Sequence, residues 1–248
     1  MIPHHEVTGD GPPLVLANSL GTTLEMWDAQ VGPLSERFRV IRYDTRGHGR
    51  SDVPPGPYTI AELGGDAIDL LDHLGIERAH FAGVSLGGMT GMWLAINAPE
   101  RVDRLVLICT SAKMAPPEMW ADRAKLVREQ GPEAIVDATF ERWFTEGYRS
   151  SHDLGRWRAM FVGVPAEGYA SCCTIIETMD QTDGLPNISA PTLIIGGAQD
   201  LSAPPPEHAA VLAGAIPHAR LEVLDPAGHM AAIERADVVT QLILDHLA

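Results

Sequence analysis

This chain contains six short apolar segments, most of which are separated by stretches whose apolar residues have the spacing of a helix. Each of the six segments is four to eight residues long, which is typical of buried strands. The stretch 60–74 between two of them repeats its apolar residues every three or four positions, as an amphipathic helix does. Strands that alternate with helices predict an α/β fold, with a mostly parallel central sheet and helices on both faces. The predicted strands are 14–17, 38–44, 79–84, 102–109, 192–197 and 219–224.

The alternation stops between the fourth and fifth predicted strands. Residues 113–186 hold no clear buried strand, and instead show helical stretches near 117–130, 132–144 and 167–180. One crossover connection needs far fewer residues than these roughly 75. We therefore expect a helical cap (lid) domain at 113–186, inserted into a core domain made of 1–112 and 187–248.

A serine between glycines follows the third predicted strand, in the segment Gly83-Val84-Ser85-Leu86-Gly87. The pattern G-x-S-x-G also arises by chance, so its surroundings decide its meaning. A strand before the serine and a helix after it are the setting of a nucleophile elbow, which exposes the serine hydroxyl. Glycines two positions before and after the serine remove side chains that would clash in such a tight turn. The sequence predicts Ser85 as a nucleophile.

A nucleophilic serine needs a base, and the base needs an acid that orients it. After a nucleophile elbow these residues follow in the order serine, acid, histidine. Asp200 lies just after the fifth predicted strand, and His229 lies in the loop after the sixth. Asp225 is an alternative acid because it shares the loop of His229, but its place before Pro226 also suits a turn. The sequence favours Ser85, Asp200 and His229 as a catalytic triad.

The first predicted strand is followed by the loop "NSLGTT", 18–23. In this arrangement an oxyanion hole combines an N–H of that loop with the N–H of the residue after the nucleophile. We therefore expect the backbone N–H groups of Leu20 and Leu86 to form the oxyanion hole. The nearby segment "YDTRGHGRS" is dense in polar residues, of which Asp44, Arg46 and His48 are expected to brace loops rather than react.

The overall charge argues against nucleic acid as a partner. The formal net charge is −15, whereas binding to phosphates or to an anionic membrane needs clustered Lys and Arg. No apolar run approaches the roughly 18 residues that cross a bilayer, and the amino terminus lacks the basic and apolar regions of a secretory signal. We therefore expect no membrane partner.

The three cysteines, Cys109, Cys172 and Cys173, are a poor disulfide framework because their number is odd and two are adjacent. We expect them to be small buried hydrophobes in a reducing compartment, the cytoplasm. No Cys/His group has zinc spacing, and the glycine-rich segments lack nucleotide-binding patterns, so the sequence predicts no metal and no cofactor.

These features match the α/β-hydrolase fold, and the chain closely resembles the 3-oxoadipate enol-lactonases within that superfamily. The resemblance covers most of the chain. The core stretches are shared across the superfamily, whereas "NSLGTT" and the cap stretches are more specific to the enol-lactonases. The matching stretches are "NSLGTTLEMWDAQ", "FRVIRYDTRGHGRSDVPPGPYTI", "LLDHLGIERAHFAGVSLGGMTG", "APERVDRLVL", "RWFTEGYR" and "EGYASCC".

The resemblance implies hydrolysis of 3-oxoadipate enol-lactone to 3-oxoadipate, in the β-ketoadipate pathway of aromatic catabolism, without a cofactor. The substrate would be a small lactone or ester with a free carboxylate. Cap arginines are candidates to bind that carboxylate, with Arg142 first and Trp143 as a wall of the pocket. The family often has a "SHISNIE"-like segment where this chain has "AGHMAAIE", so Met230 beside the histidine is a candidate specificity residue.

Other functions share the same triad. A general carboxylesterase, a perhydrolase and a C–C bond hydrolase would all use Ser85, Asp200 and His229, and the cap resemblance alone separates them. A non-catalytic ligand-binding relative is the alternative from a different class. The presence of all three triad residues favours an enzyme.

Overall fold

The strands of the computed structural model, which describes residues 1–114 and 116–248, form a single twisted sheet. Seven strands in the described chain follow the order β1-β3-β2-β4-β5-β6-β7. β1 pairs antiparallel with β3, and the other neighbours are parallel. The strands are β1 (His5–Thr8), β2 (Pro13–Ala17), β3 (Arg39–Tyr43), β4 (Ala79–Val84), β5 (Val102–Ile108), β6 (Thr192–Gly197) and β7 (Arg220–Leu224).

The positions of the six predicted strands are therefore confirmed to within one residue at either end, but the expected burial is wrong for β7, which is half-buried or exposed throughout. β1 has no counterpart among them. Its four residues are His-Glu-Val-Thr, which do not form an apolar run, and all four are half-buried or exposed. Its place at the edge of the sheet, rather than its composition, explains why it is a strand.

Helices cover both faces of the sheet, and the core set lies outside the segment between β5 and β6. In α2, Thr59 forms a capping box with Glu62, in which each side chain accepts a hydrogen bond from the other residue's backbone N–H. The core helices are α1 (Asp28–Ser35), α2 (Ile60–His73), α3 (Leu86–Asn97), α9 (Ala209–Ala215), α10 (Ala231–Glu234) and α11 (Ala236–Leu247).

The predicted cap segment, 113–186, contains helices and no strand in its described part. The sequence does not predict two of these helices, α6 (Glu146–Ser151) and α7 (Gly155–Val162). Ala115 of this segment lies outside the described residues. α4 and α8 pack side by side, joined at the surface by the ion pair of Arg128 and Glu167 at 2.9 Å. The cap helices are α4 (Pro117–Gln130), α5 (Val136–Trp143), α6 (Glu146–Ser151), α7 (Gly155–Val162) and α8 (Ala166–Thr178).

All three cysteines are buried free thiols, as predicted. Among the described helices, none is by itself long and apolar enough to cross a membrane; α7 and α8 reach that length and composition only as a pair bent by 88°.

Candidate active site

Ser85 stands on a strained turn between β4 and α3. Its φ of 53° and ψ of −113° lie outside the regions that L-residues usually adopt. The turn is held on both sides: the Ser85 N–H donates to the carbonyl of Ile108 at 2.9 Å, and Thr110 Oγ1 donates to the carbonyl of Ser85 at 2.7 Å. Strain of this kind persists where the surroundings enforce it, which is common at functional sites.

The two glycines of the motif make this turn possible. A Cβ on Gly83 would lie 2.2 Å from the backbone of Gly87, and a Cβ on Gly87 would lie 2.3 Å from the carbonyl oxygen of Ala17. Neither backbone neighbour can move aside without shifting the sheet. Gly83 is therefore required by the close packing of β4 against the start of α3, and Gly87 by the close packing of α3 against β2.

His229 and Asp200 meet at the carboxyl end of the sheet, where the loops after β6 and β7 come together. His229 Nδ1 donates to Asp200 Oδ2 at 2.9 Å, and both side chains are buried. The N–H groups of Ser202 and Ala203 donate to the other carboxylate oxygen. An ionised carboxylate only accepts hydrogen bonds, so this contact places the proton of His229 on Nδ1 and leaves Nε2 as the free base.

The charge state of Asp200 suits that role. Burial by itself raises the pKa of Asp200, but the charge and hydrogen bond of His229 and the two backbone N–H groups outweigh it. The net result is a pKa below the ordinary value, so the carboxylate is ionised at neutral pH. The alternative acid Asp225 is exposed and contacts Gln199 at 3.4 Å instead of His229.

Ser85 and His229 line the same cavity, although no hydrogen bond joins them in the described chain. Contacts between a nucleophile and its base are often long in ligand-free enzymes and shorten when substrate binds. The structure therefore brings the three predicted triad residues to one site, with the serine hydroxyl not yet engaged by the base.

The predicted oxyanion loop lies opposite the elbow. The N–H groups of Leu20 and Leu86 donate no hydrogen bond to any described residue, so both are available for a ligand. His48 fixes this loop from behind, because its Nε2 accepts the N–H of Gly21 at 3.0 Å while Nδ1 contacts the carbonyl of Arg46 at 3.2 Å. His48 therefore braces the loop, as expected.

The burial of His48 predicts a specific pH dependence of stability. Burial lowers its pKa from 6.5 to about 4, so the unfolded chain binds a proton between those values that the folded chain does not. The free energy of unfolding should therefore rise with pH across this window, with about 3 kcal/mol from this histidine.

Urea denaturation at pH 4.5 and 6.5 measures this contribution. His48→Asn should show a smaller difference between the two pH values than the parent, while replacement of the exposed His73 by asparagine should keep the parent's difference. An unchanged pH dependence in the His48 variant contradicts the assignment.

A carboxylate that the sequence did not single out ties the His229 loop to the cap segment. Glu234 accepts the N–H of Gly228 and the N–H of Thr145, both at 2.6 Å. A third link runs from the N–H of Met230 to the carbonyl of Trp143 at 3.0 Å. Glu234 is therefore positioned to hold the histidine loop against the end of α5.

Replacing Glu234 with alanine should destabilise the fold and lower kcat. Two half-buried backbone N–H groups lose their acceptor, which costs about 1–3 kcal/mol for each group that stays buried. Urea midpoints and kcat of Glu234→Ala measure both effects, with the exposed Glu141→Ala as the control. A normal kcat in the Glu234 variant would show that the contacts of Glu234 with Gly228 and Thr145 do not hold His229 in place.

The cavity at Ser85 has a volume of about 120 Å³. By the same measure one water needs about 10–15 Å³, so a small organic molecule fits. Arg142 and Trp143 both line the cavity. The Arg142 side chain is exposed, and its Nη2 donates to the carbonyl of Leu201 at 2.5 Å. The Trp143 side chain is buried. Met230 is fully buried and is not among the described lining residues.

Three further polar side chains of the cap segment line the cavity: Arg123, which the sequence included only as one of the cap arginines, and Thr139 and Tyr169, which it did not single out. The signal that was available is the spacing in α4. Arg123 lies three residues after Trp120 and four before the buried Val127, so it falls on the inward face of the helix. An arginine on an inward helix face is unusual unless it has a partner.

Known proteins share this architecture along almost the whole chain. A family model described as the alpha/beta hydrolase fold matches residues 12–134 and 137–236. The chain belongs to the α/β-hydrolase family. This match confirms the predicted fold. The resemblance to enol-lactonases is confirmed by two similar proteins, from Acinetobacter baylyi and Burkholderia xenovorans.

Of the three known proteins described next, the two enol-lactonases have a higher sequence identity to this chain than the third. The chain is 44% identical over 235 residues to 3-oxoadipate enol-lactonase 2 of Acinetobacter baylyi, which covers 91% of this chain and 85% of that protein. The crystal structure of an enol-lactonase from Burkholderia xenovorans has a TM-score of 0.95 at 46% identity, over 98% of this chain and 95% of the other. A protein of Stutzerimonas stutzeri with the name "Putative carbamate hydrolase RutD" is 31% identical over an alignment of 258 positions, which covers 99% of this chain and 96% of that protein.

Proposed function

We propose that this α/β hydrolase opens 3-oxoadipate enol-lactone to 3-oxoadipate through an acyl-enzyme on Ser85. The observation that carries the proposal is the strained Ser85 in one cavity with His229, whose Nδ1 contacts Asp200. Similarity to two proteins named as enol-lactonases, at 44% and 46% identity, supports the choice of substrate.

The first proposed step is attack on the lactone carbonyl. Nε2 of His229 takes the proton of Ser85 as Oγ bonds to the carbonyl carbon, and Asp200 stabilises the resulting imidazolium. The N–H groups of Leu20 and Leu86 receive the oxyanion. General-base catalysis typically contributes about 10²–10⁴-fold, and one preorganised oxyanion donor about 3–4 kcal/mol.

Collapse of the tetrahedral intermediate breaks the ring C–O bond. The leaving group is an enolate, which is more stable than a plain alkoxide and takes its proton from His229. Because the substrate is cyclic, the leaving group stays attached and the whole molecule remains on Ser85. His229 then activates a water that adds to the ester carbonyl, Ser85 regains its proton, and the released enol tautomerises to the ketone. These steps use only groups of the chain and water, so the proposal includes no cofactor.

The ultraviolet absorbance of authentic enol-lactone tests this proposal. We expect the enzyme to remove the absorbance in a saturable reaction, well above the spontaneous rate. Loss of the lactone at the spontaneous rate alone would reject the proposal and favour a general carboxylesterase, which release of p-nitrophenol from p-nitrophenyl acetate would then reveal.

Carbamate hydrolysis is a second candidate, favoured by the 31% identity to the RutD protein over almost the whole chain. It would use the same three residues at a carbamate carbonyl. Parallel measurement of kcat/KM for the enol-lactone and for a small carbamate separates the two candidates. We expect the lactone to be preferred.

A further inference from the structure

Arg123 projects from α4 into the wall of the cavity that holds Ser85 and His229. Its side chain is fixed by two hydroxyl groups: Nε donates to the Tyr169 hydroxyl at 2.8 Å, and Nη2 donates to Thr139 Oγ1 at 2.6 Å. A guanidinium held at two of its nitrogens has lost most of its rotamer freedom. It is therefore preorganised for a ligand in the cavity.

Arg123 forms no ion pair in the described chain. No carboxylate oxygen of the described residues forms an ion pair with it within 4.0 Å. Arg128 on the same helix, by contrast, pairs with Glu167 at 2.9 Å. Both groups that hold Arg123 are neutral, and burial raises the pKa of the Tyr169 phenol above its ordinary value. An anion in the cavity would pair with Arg123.

The hydrogen bonds around Arg123 leave donors free on both Arg123 and Tyr169. Thr139 Oγ1 uses its proton on the carbonyl of Ile135 at 2.7 Å. The Tyr169 oxygen accepts from Arg123, and its own proton has no acceptor among the described residues. Nη1 of Arg123 also makes no hydrogen bond to a described residue. One N–H of Nη1 and the phenol O–H together match the two oxygens of a carboxylate.

The surroundings strengthen such a contact. The guanidinium lies 5.9 Å from the ring centroid of Trp120 and 5.6 Å from that of Tyr169, so aromatic faces exclude water on those sides. Charge interactions are stronger where water is excluded. The net charge of −15 matters less, because charges beyond about 8 Å are largely screened at physiological salt.

Arg142, the arginine favoured by the sequence, is placed less well for this role. It is exposed, and its Nη2 already donates to the carbonyl of Leu201 at 2.5 Å. Exposed charges are screened by solvent and contribute little to binding.

We propose that Arg123 and Tyr169 form the subsite for a second, ionised carboxylate of the acyl group, remote from the carbonyl that Ser85 attacks. This inference rests on the proposed hydrolysis at Ser85, and it extends that proposal from one lactone to a class: esters and lactones of dicarboxylic acids. A neutral acyl chain of equal length would enter the same cavity without engaging the subsite.

Two chromogenic esters of equal chain length test the subsite: p-nitrophenyl hydrogen adipate, which has a free carboxylate, and p-nitrophenyl hexanoate, which has none. The parent enzyme should prefer the adipate ester. Arg123→Met should lower kcat/KM for the adipate ester by about 30- to 100-fold, as expected for loss of a charge-assisted contact. Its kcat/KM for the hexanoate ester should fall by a much smaller factor, and turnover of that ester also shows that the variant folds.

Three variants complete the design. Tyr169→Phe should lower the preference for the adipate ester by a smaller factor, and Arg123→Lys should retain part of it. Arg142→Met, the matched control, should leave the preference unchanged. The proposal is overturned if Arg123→Met lowers both esters equally, if it changes neither, or if Arg142→Met abolishes the preference.

The enol-lactone assay separates this inference from the proposed function. If the parent enzyme does not open the enol-lactone but Arg123→Met still removes the preference for the adipate ester, the subsite stands and the assigned substrate fails. If Arg123→Met opens the enol-lactone with the parent's kcat/KM, the assigned substrate stands and the subsite fails.

Discussion

Replacing Ser85 with alanine is expected to lower kcat/KM for the enol-lactone by about 10⁴- to 10⁶-fold, because no other group can form the acyl-enzyme. The fold should survive this change. Within the described residues Ser85 Oγ makes no hydrogen bond, and alanine has the same Cβ, so the strain at a φ of 53° is unaltered. The thermal midpoint of Ser85→Ala should equal that of the parent.

A matched variant, Ser150→Ala, alters an exposed serine of α6 and should keep full activity. If the kcat/KM of Ser85→Ala were within tenfold of the parent's, the covalent mechanism would be contradicted. That result would leave direct attack by a water on the lactone as the explanation for turnover.

Replacing Asp200 with asparagine should lower kcat by about 10⁴-fold, the loss expected when a triad histidine is held in the wrong tautomer. An amide can donate to His229 Nδ1, which moves the ring proton to Nε2 and removes the base that faces Ser85. The pH–rate profile of the residual activity should also change, because the developing imidazolium loses its counter-charge.

Asp225→Asn is the control that decides between the two acids considered from the sequence. Asp225 is exposed and does not contact His229, so its variant should have the parent's kcat. A large loss in Asp225→Asn together with a small loss in Asp200→Asn would transfer the orienting role to Asp225.

Local pattern was sufficient to locate most of the sheet and the candidate triad. Five of the six predicted strands are mostly buried and rich in apolar residues, whereas β7 is half-buried or exposed, and Ser85, Asp200 and His229 each follow a predicted strand within a few residues. Parallel strands place their carboxyl ends at one edge of the sheet, so the strand order is enough to bring these residues together. The glycine spacing around Ser85 also has the steric origin expected from sequence.

Contacts between distant segments were not predictable in the same way. Arg123 and Tyr169 are 46 positions apart, and Glu234 contacts Thr145 across 89 positions. Such pairs depend on how the helices of the cap segment pack, which no local periodicity fixes. The sequence favours Arg142 because it adjoins Trp143, whereas in the structure Arg123 is the more enclosed of the two arginines. The same limit applies to β1, which is a strand because β3 offers it an edge.

Reaction with a serine-directed fluorophosphonate, followed by peptide mapping by mass spectrometry and by residual enol-lactone activity, tests the central claim most directly. We predict one adduct, on Ser85, whose extent matches the loss of enol-lactone hydrolysis point by point. Hydrolysis that persists when Ser85 is fully modified, or that disappears while Ser85 is unmodified, would contradict the account.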